Sequence, residues 1–266
     1  MHSQTLFHKI FPKPKCIIGM IALPPLLGYP EFTSLSAVIE RALSDLDSLQ
    51  RGGVDGVCVE NDYDRPHRLK AAPEIVASFT RVAHEVVLHA GVPVGVQVLL
   101  NDWRASLAVA SVARASFVRL DFFVDKVRTQ AGTIRPQPAA VIAYRKRIKA
   151  EQVALFTDIQ VKHSKLLEPD KTLTRSTQQA IRNGSDAIIV SGRVTGEAPK
   201  LSDLREARNA AGDFPVLVGS GATAGNIRNL FRYANGAIVG TSLKNSPSMV
   251  ELVNPARVRK LMKAVR

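Results

Sequence analysis

Short runs of aliphatic and β-branched residues recur along the chain, and each is followed by a stretch whose apolar positions fall at helical spacing. The runs are CIIGMIAL (16–23), VDGVCVEN (54–61), VPVGVQVLL (92–100), FVRLDF (117–122), VALFTDIQV (153–161), DAIIVSG (186–192), FPVLVGSG (214–221) and GAIVGTSLK (236–244). Helical periods between them include Ala37, Ile39, Ala42, Leu43, Leu46 and Leu49, then Ile75, Ala77, Phe79, Val82, Ala83 and Val86. Strand alternating with helix predicts a parallel sheet. Eight such units in about 250 residues predict an α/β chain folded as a single (β/α)8 TIM barrel, because a doubly wound sheet uses fewer strands and a glycine-rich first turn. Residues 1–15 read as a lead-in segment and 16–266 as the barrel domain. The longest irregular stretch, 123–138, follows the fourth strand and reads as an active-site loop.

In such a barrel the carboxyl ends of the strands line the active-site face. Those ends are polar here: Glu60, Asn61, Asp62 and Asp64; Asn101 and Asp102; Arg119 and Asp121; Asp158; Lys162 and His163; Ser191 to Thr195; Ser220; Thr241 to Lys244. Burying ionised groups costs several kcal/mol unless they are paired, so a mouth of this kind implies a network organised around a ligand. Period-two spacing places Arg119 and Asp121 on one face, where they either neutralise each other or meet a ligand. The same spacing puts Asp158, Gln160 and Lys162 up one interior wall, with Lys162 nearest the mouth. Lys162 has three readings open to it: Schiff-base former, base with a lowered pKa, or anion binder. His163 is either a structural hydrogen-bonding residue or a catalytic one. The candidate catalytic set is Lys162, Asp158, Glu60, His163, Asp121, Arg119, Asn101 and Asp102.

The seventh and eighth runs end alike, in GSGAT (219–223) and GTSLK (240–244). Glycine lets the backbone approach a ligand closely, and amides at a helix start present several donors to one anion. Barrels build phosphate sites from the loops after these two strands. The expected phosphate contacts are Gly219, Ser220, Gly221, Gly240, Thr241 and Ser242, with the hydroxyls of Ser220, Thr223, Thr241 and Ser242 as further donors and with the phosphate as an anchor and not the reacting group.

Charge and composition narrow the partners. The chain carries a formal net charge of +13, but the basic residues are scattered over predicted helix faces and no RRM, KH or helix-turn-helix pattern is present. A negatively charged small molecule is therefore expected as ligand, and nucleic acid is not. Cys16 and Cys58 lie in apolar runs without CxxC spacing and are expected to be buried and reduced. Glu60, Asp62 and Asp64 lack a metal-loop pattern, and His2, His8, His67, His84 and His89 show no ligand spacing, so neither a metal nor a cofactor is expected. No apolar run reaches the length of a transmembrane segment and no secretory signal opens the chain, which predicts a cytoplasmic protein; a homo-oligomer is compatible with all of this.

The stretches CIIGMIALPPLLGYP, GVCVENDYDRP, VGVQVLLND, FVRLDFFVDK, TDIQVKHSKLL, DAIIVSGRVTGE, PVLVGSGATAGNI and GAIVGTSLK resemble the BtpA/SgcQ family, whose members are similar to phosphate-binding TIM barrels. The resemblance runs from Cys16 to Lys244 and implies the barrel fold. For function it implies two alternatives. One is a role in sugar metabolism, which agrees with what the polar mouth and the glycine turns themselves predict, an enzyme of lyase, aldolase-like or isomerase type working by acid and base catalysis on a small phosphorylated metabolite. The other is a non-catalytic biogenesis factor for a membrane complex, as in photosystem I biogenesis.

Overall fold

The computed structural model describes residues 5–161, 164–246 and 251–266. Eight parallel strands close into a barrel: β1 Cys16–Ala22, β2 Gly56–Glu60, β3 Val94–Gln97, β4 Phe117–Leu120, β5 Ala154–Ile159, β6 Ala187–Val190, β7 Val216–Val218 and β8 Gly236–Val239. Each strand pairs with its neighbours in sequence, and β1 closes on β8 through Cys16 opposite Gly236 and Gly19 opposite Val239. All eight apolar runs become barrel strands. Of the polar residues near the strand ends, Glu60 and Asp158 lie within β2 and β5, while Asp121, Ser191 and Ser220 fall just past β4, β6 and β7.

The helices are α1 Leu6–Ile10, α2 Leu35–Gly52, α3 Pro73–His89, α4 Trp103–Ala113, α5 Pro138–Arg147, α6 Leu173–Arg182, α7 Leu201–Ala211, α8 Ile227–Leu230 and α9 Pro255–Val265. Their starts carry sequence-coded caps. Ser34 accepts from the Ala37 amide, Thr172 from Arg175, and Asn254 from Ala256 and Arg257, which satisfies donors that a first turn leaves unpaired. The buried face of α2 is Val38, Ala42, Leu46 and Leu49, and that of α3 is Ile75, Ser78, Phe79, Val82, Ala83 and Val86. Ala37 and Ala77, expected in those faces, are exposed. The small side chain of alanine gives little hold on helix phase, and the larger neighbours decide it. No helix among the described residues is long and apolar enough to cross a membrane.

The barrel interior is filled in layers. Phe117 of β4 and Phe156 of β5 stack with ring centroids 4.5 Å apart. Missing side chains leave room for the rings: a Cβ on Gly95 would strike the Phe117 ring, and one on Gly56 would lie 2.8 Å from the ring of Phe11. The leading segment is part of this core. Helix α1 lies across the barrel floor, with Phe7 5.6 Å from Phe156 and Phe11 6.0 Å from Phe117, centroid to centroid. Its start is tied to the barrel by the Leu6 amide, which donates to Asp186.

The stretch expected as a loop after β4 contains a β-hairpin, Val127–Thr129 and Gly132–Ile134, joined by Lys165–Leu166 into a three-stranded antiparallel sheet. Alternation over three-residue strands is too brief to be read from sequence. The hairpin tip, Thr129 to Ala131, overhangs the barrel mouth.

Candidate active site

Above the aromatic layer the inward positions become polar. Arg119, 6% exposed, donates Nε to Asp158 Oδ2 at 2.8 Å and Nη2 to Asp158 Oδ1 at 3.0 Å. Asp158, fully enclosed, also accepts from Ser191 Oγ at 2.8 Å. Asp121 lies 3.9 Å from Arg119 Nε and accepts from Gln97 Nε2 at 2.7 Å. Gln97 stands beside Glu60 in the β2–β3 register. Burial alone would lower the Arg119 pKa, but the Asp158, Asp121 and Glu60 carboxylates outweigh it and raise the value. The guanidinium is thus held charged within an acidic layer.

Arg119 and Asp121 do share a face, as their spacing predicts, yet the two-point partner of Arg119 is Asp158 on the next strand. The expected wall of Asp158, Gln160 and Lys162 stops at Ile159. Gln160 takes φ +45°, and its side chain donates to the Lys171 carbonyl at 2.9 Å, toward α6. Its amide is held by Asp125, which also pairs with the buried ammonium of Lys171 at 2.9 Å. Lys162 and His163 lie outside the described residues.

Several other candidates are engaged in holding loops. Asp102 accepts from the Ala105 and Ala71 amides, capping α4. Asn101 accepts from the Phe122 amide at 3.1 Å, pinning the end of β4 to that of β3. The acids of the 60–64 segment are dispersed. Asp62 pairs with Arg65, and Asp64 accepts from Leu26 and Asn61, with burial raising its pKa. Among the described residues no group of three or more His, Cys, Asp or Glu side chains is arranged to hold a metal. Lys244 points away from the mouth into a fully buried ion pair with Asp45 at 2.9 Å. Trp103 meets Tyr144 edge-on at 5.7 Å and lines no part of the mouth.

A cavity of about 1140 Å³ opens at the carboxyl ends of the strands. Its deep end is Glu60, Gln97, Arg119 and Asp121; its upper wall is Gly219 to Thr223 and Gly240 to Ser242. The two glycine turns therefore face the same space as the polar layer. Their side-chain hydroxyls differ from expectation: Ser220 Oγ donates to the Glu197 carbonyl and accepts from the Gly192 amide, while Ser242 Oγ donates to the Ala222 carbonyl. These bonds lock the turns to the β6 loop and to each other; within the first turn the Gly219 amide donates to the Val190 carbonyl and the Thr223 amide to Asn226 Oδ1. Gly221 has φ +66°, and a Cβ there would collide with Ala198 and Glu197; at Gly219 it would meet Ser191 and come within 3.2 Å of Arg119 Nη2.

Gln97, Arg65 and His67 also line the cavity without having been singled out from sequence. For Gln97 the signal was present: it is the polar residue at an inward period-two position within the apolar run VPVGVQVLL. Arg65 and His67 reach the mouth from an irregular loop, which carries no periodicity.

The sequence profile of the BtpA family matches residues 13–266. The chain belongs to the BtpA family. A member from Synechocystis sp., named photosystem I biogenesis protein BtpA, is 37% identical over 251 residues, spanning 94% of this chain and 87% of its own. Among solved structures, phosphoribosyl anthranilate isomerase from Thermococcus kodakaraensis superposes with TM-score 0.58 at 12% identity, over 94% of this chain and 98% of its own. A Schiff-base-forming fructose-1,6-bisphosphate aldolase does so with TM-score 0.57 at 16% identity, over 98% of both chains. At those identities the structural likeness establishes the barrel alone, so this BtpA-family chain is a TIM barrel with enzymes as fold neighbours.

Proposed function

We propose that this protein is an enzyme that binds a small phosphorylated metabolite, of sugar-phosphate type, and carries out lyase, aldolase-like or isomerase chemistry by acid and base catalysis. The observation that carries this reading is the shared cavity. Two glycine turns, with the Ser220 and Ser242 hydroxyls tied to neighbouring carbonyls, line one part of it, and the polar layer built on Arg119 lines another. Such a division suits a ligand anchored by phosphate and transformed at its far end, where remote binding energy orients the reacting atoms. Gly219, Ser220, Gly221, Gly240, Thr241 and Ser242 hold the phosphate. Asp121 and Glu60 are the acid and base groups within reach of a ligand, and Arg119 polarises it. Asp158, enclosed behind Arg119, is a positioning residue in this reading. Lys162 and His163 are kept as catalytic candidates on their sequence positions.

A thermal-shift screen against phosphorylated metabolites tests the reading, because a ligand that binds only the folded chain raises its melting temperature with occupancy. We expect saturable stabilisation by a subset of sugar phosphates. Stabilisation by none of them would reject the phosphate site.

The name of the Synechocystis relative favours a second reading, a biogenesis factor whose barrel mouth is retained for a regulatory ligand. Substituting Lys162→Ala and Asp121→Asn in cells separates the two. An enzyme loses function with its mouth, whereas a factor acting through its surface keeps it.

A further inference from the structure

Across the mouth from the glycine turns, the cavity has an apolar wall. Leu99 and Leu100 follow β3, Phe122 follows β4 and Val161 follows β5, and all four line the cavity. In a closed ring of eight strands β3 stands opposite β7 and β4 opposite β8, so this patch faces the two turns over the layer built on Arg119. Phe122 and Val161 pack with Val127 and Ile134 of the hairpin, and Leu100 leans on that cluster. The patch is thus the underside of the hairpin's own small core. Leu99 and Leu100 are only half-buried and keep apolar surface open, unlike Met20 and Ile238 on the β1 and β8 side of the cavity, which are 4% and 2% exposed.

Two constraints decide what rests on such a wall. A sugar hydroxyl laid against leucine, phenylalanine and valine gives up hydrogen bonds to water and gains none, whereas a ring is drawn there by burial of its faces. The second constraint is size. The cavity volume of about 1140 Å³ lies above the range of about 300–1,000 Å³ that takes drug-sized ligands, which leaves room beyond a sugar phosphate alone. The patch is nonetheless short, for Gln97, Arg119, Thr129 and Gln130 line the same cavity. Four apolar side chains among polar neighbours suit a compact ring with polar edges and not a long acyl chain.

Building on the phosphate-anchor reading above, we propose that the ligand carries an aromatic heterocycle at the end remote from its phosphate, and that this ring packs on Leu99, Leu100, Phe122 and Val161. The order phosphate, sugar, ring then follows the order glycine turns, polar layer, apolar patch across the mouth. The substrate class is a sugar phosphate bearing a heterocycle, of the N-glycoside 5-phosphate kind, and Leu99 and Leu100 are specificity-determining residues.

The test is calorimetric titration of the wild-type chain with ribose 5-phosphate, with uridine and inosine 5′-monophosphates, which add a ring to the same sugar phosphate, and with hexyl phosphate, which offers an alkyl chain instead. Inorganic phosphate reports the anchor alone, and uridine and inosine report the ring without it. The better nucleotide is expected to bind at least tenfold more tightly than ribose 5-phosphate and than hexyl phosphate. Leu100→Asn is expected to weaken that nucleotide at least fivefold while leaving ribose 5-phosphate within twofold. Should Leu100→Asn not fold, the wild-type complex decides: nuclear Overhauser contacts are expected between the ring protons of the bound nucleotide and the Leu99 and Leu100 methyls, and their absence overturns the inference. Nucleotides bound no more tightly than ribose 5-phosphate, hexyl phosphate bound as tightly as they are, or a nucleotide affinity indifferent to Leu100→Asn also overturns it; in each case binding of inorganic phosphate or ribose 5-phosphate leaves the anchor standing. Nucleosides bound as tightly as their monophosphates, and weakened by Leu100→Asn, uphold the ring patch and remove the anchor. Binding of none of these compounds overturns both.

Discussion

Arg119 and Asp158 meet in the barrel interior through two parallel hydrogen bonds of 2.8 and 3.0 Å, from adjacent strands and almost entirely out of water. Two-point geometry fixes the guanidinium plane, and Ser191 fixes the carboxylate in turn. Removing one partner leaves the other charge buried, at a cost of about 3–5 kcal/mol. We expect Asp158→Ala to lose about that much stability in urea unfolding. The double variant Asp158→Ala with Arg119→Met should lose clearly less than the sum of the single losses, a non-additivity that marks direct coupling.

Phe11 ties the leading segment to the barrel. Its ring packs on Phe117 and Phe156 beneath the floor, where Gly56 leaves it room. Phe11→Ala should cost about 3–5 kcal/mol, the range for truncating a buried phenylalanine. A loss below about 1 kcal/mol in the same urea titration would mean that the Phe11 ring is dispensable to the core.

Cys16 and Cys58 are wholly buried, and burial, the largest cause, pushes both thiols well above their ordinary range. The folded chain therefore keeps protons that the unfolded chain releases at alkaline pH. Their stabilising contribution is complete below the thiol's unfolded pKa, about 8.5, and declines as pH rises beyond it. Unfolding free energies measured from pH 8 to 10.5 should fall less steeply in the Cys16→Ala, Cys58→Ala variant than in wild type. Native thiols should also resist a disulfide reagent that labels them once the chain is unfolded.

The eight barrel strands were legible because each is rich in aliphatic and β-branched residues and each is followed by a helical period. The polar mouth was legible as a list of strand ends, but its wiring was not. Whether Arg119 pairs with Asp121 two residues on or with Asp158 on the next strand depends on barrel register, which no local spacing encodes. Gln160 shows the same limit: period two carries it inward on paper, and one residue at φ +45° turns it toward α6. The serines of the glycine turns were read as donors to a ligand because side-chain type was visible and the competing carbonyls, at Glu197 and Ala222, were not.

Two glycines in one cavity wall separate backbone freedom from packing. Gly196 has φ +83° and open space around its missing Cβ, whereas Gly221 has φ +66° and the Glu197–Ala198 backbone against it. Gly196→Ala should cost about 1–2 kcal/mol, the penalty of a left-handed conformation. Gly221→Ala adds an overpacking cost and should reach about 2–5 kcal/mol. Thermal melts of the two variants side by side check the order, which packing alone decides.

The phosphate anchor is the centre of the functional reading, and amide chemical shifts test it at the atoms concerned. In a titration of the isotopically labelled chain with inorganic phosphate, saturable shifts are expected at the amides of Gly219 to Thr223 and Gly240 to Ser242, with the basic faces of α5 and α9 unmoved. Shifts confined to those helices, or no saturable change at the two glycine turns, would contradict it.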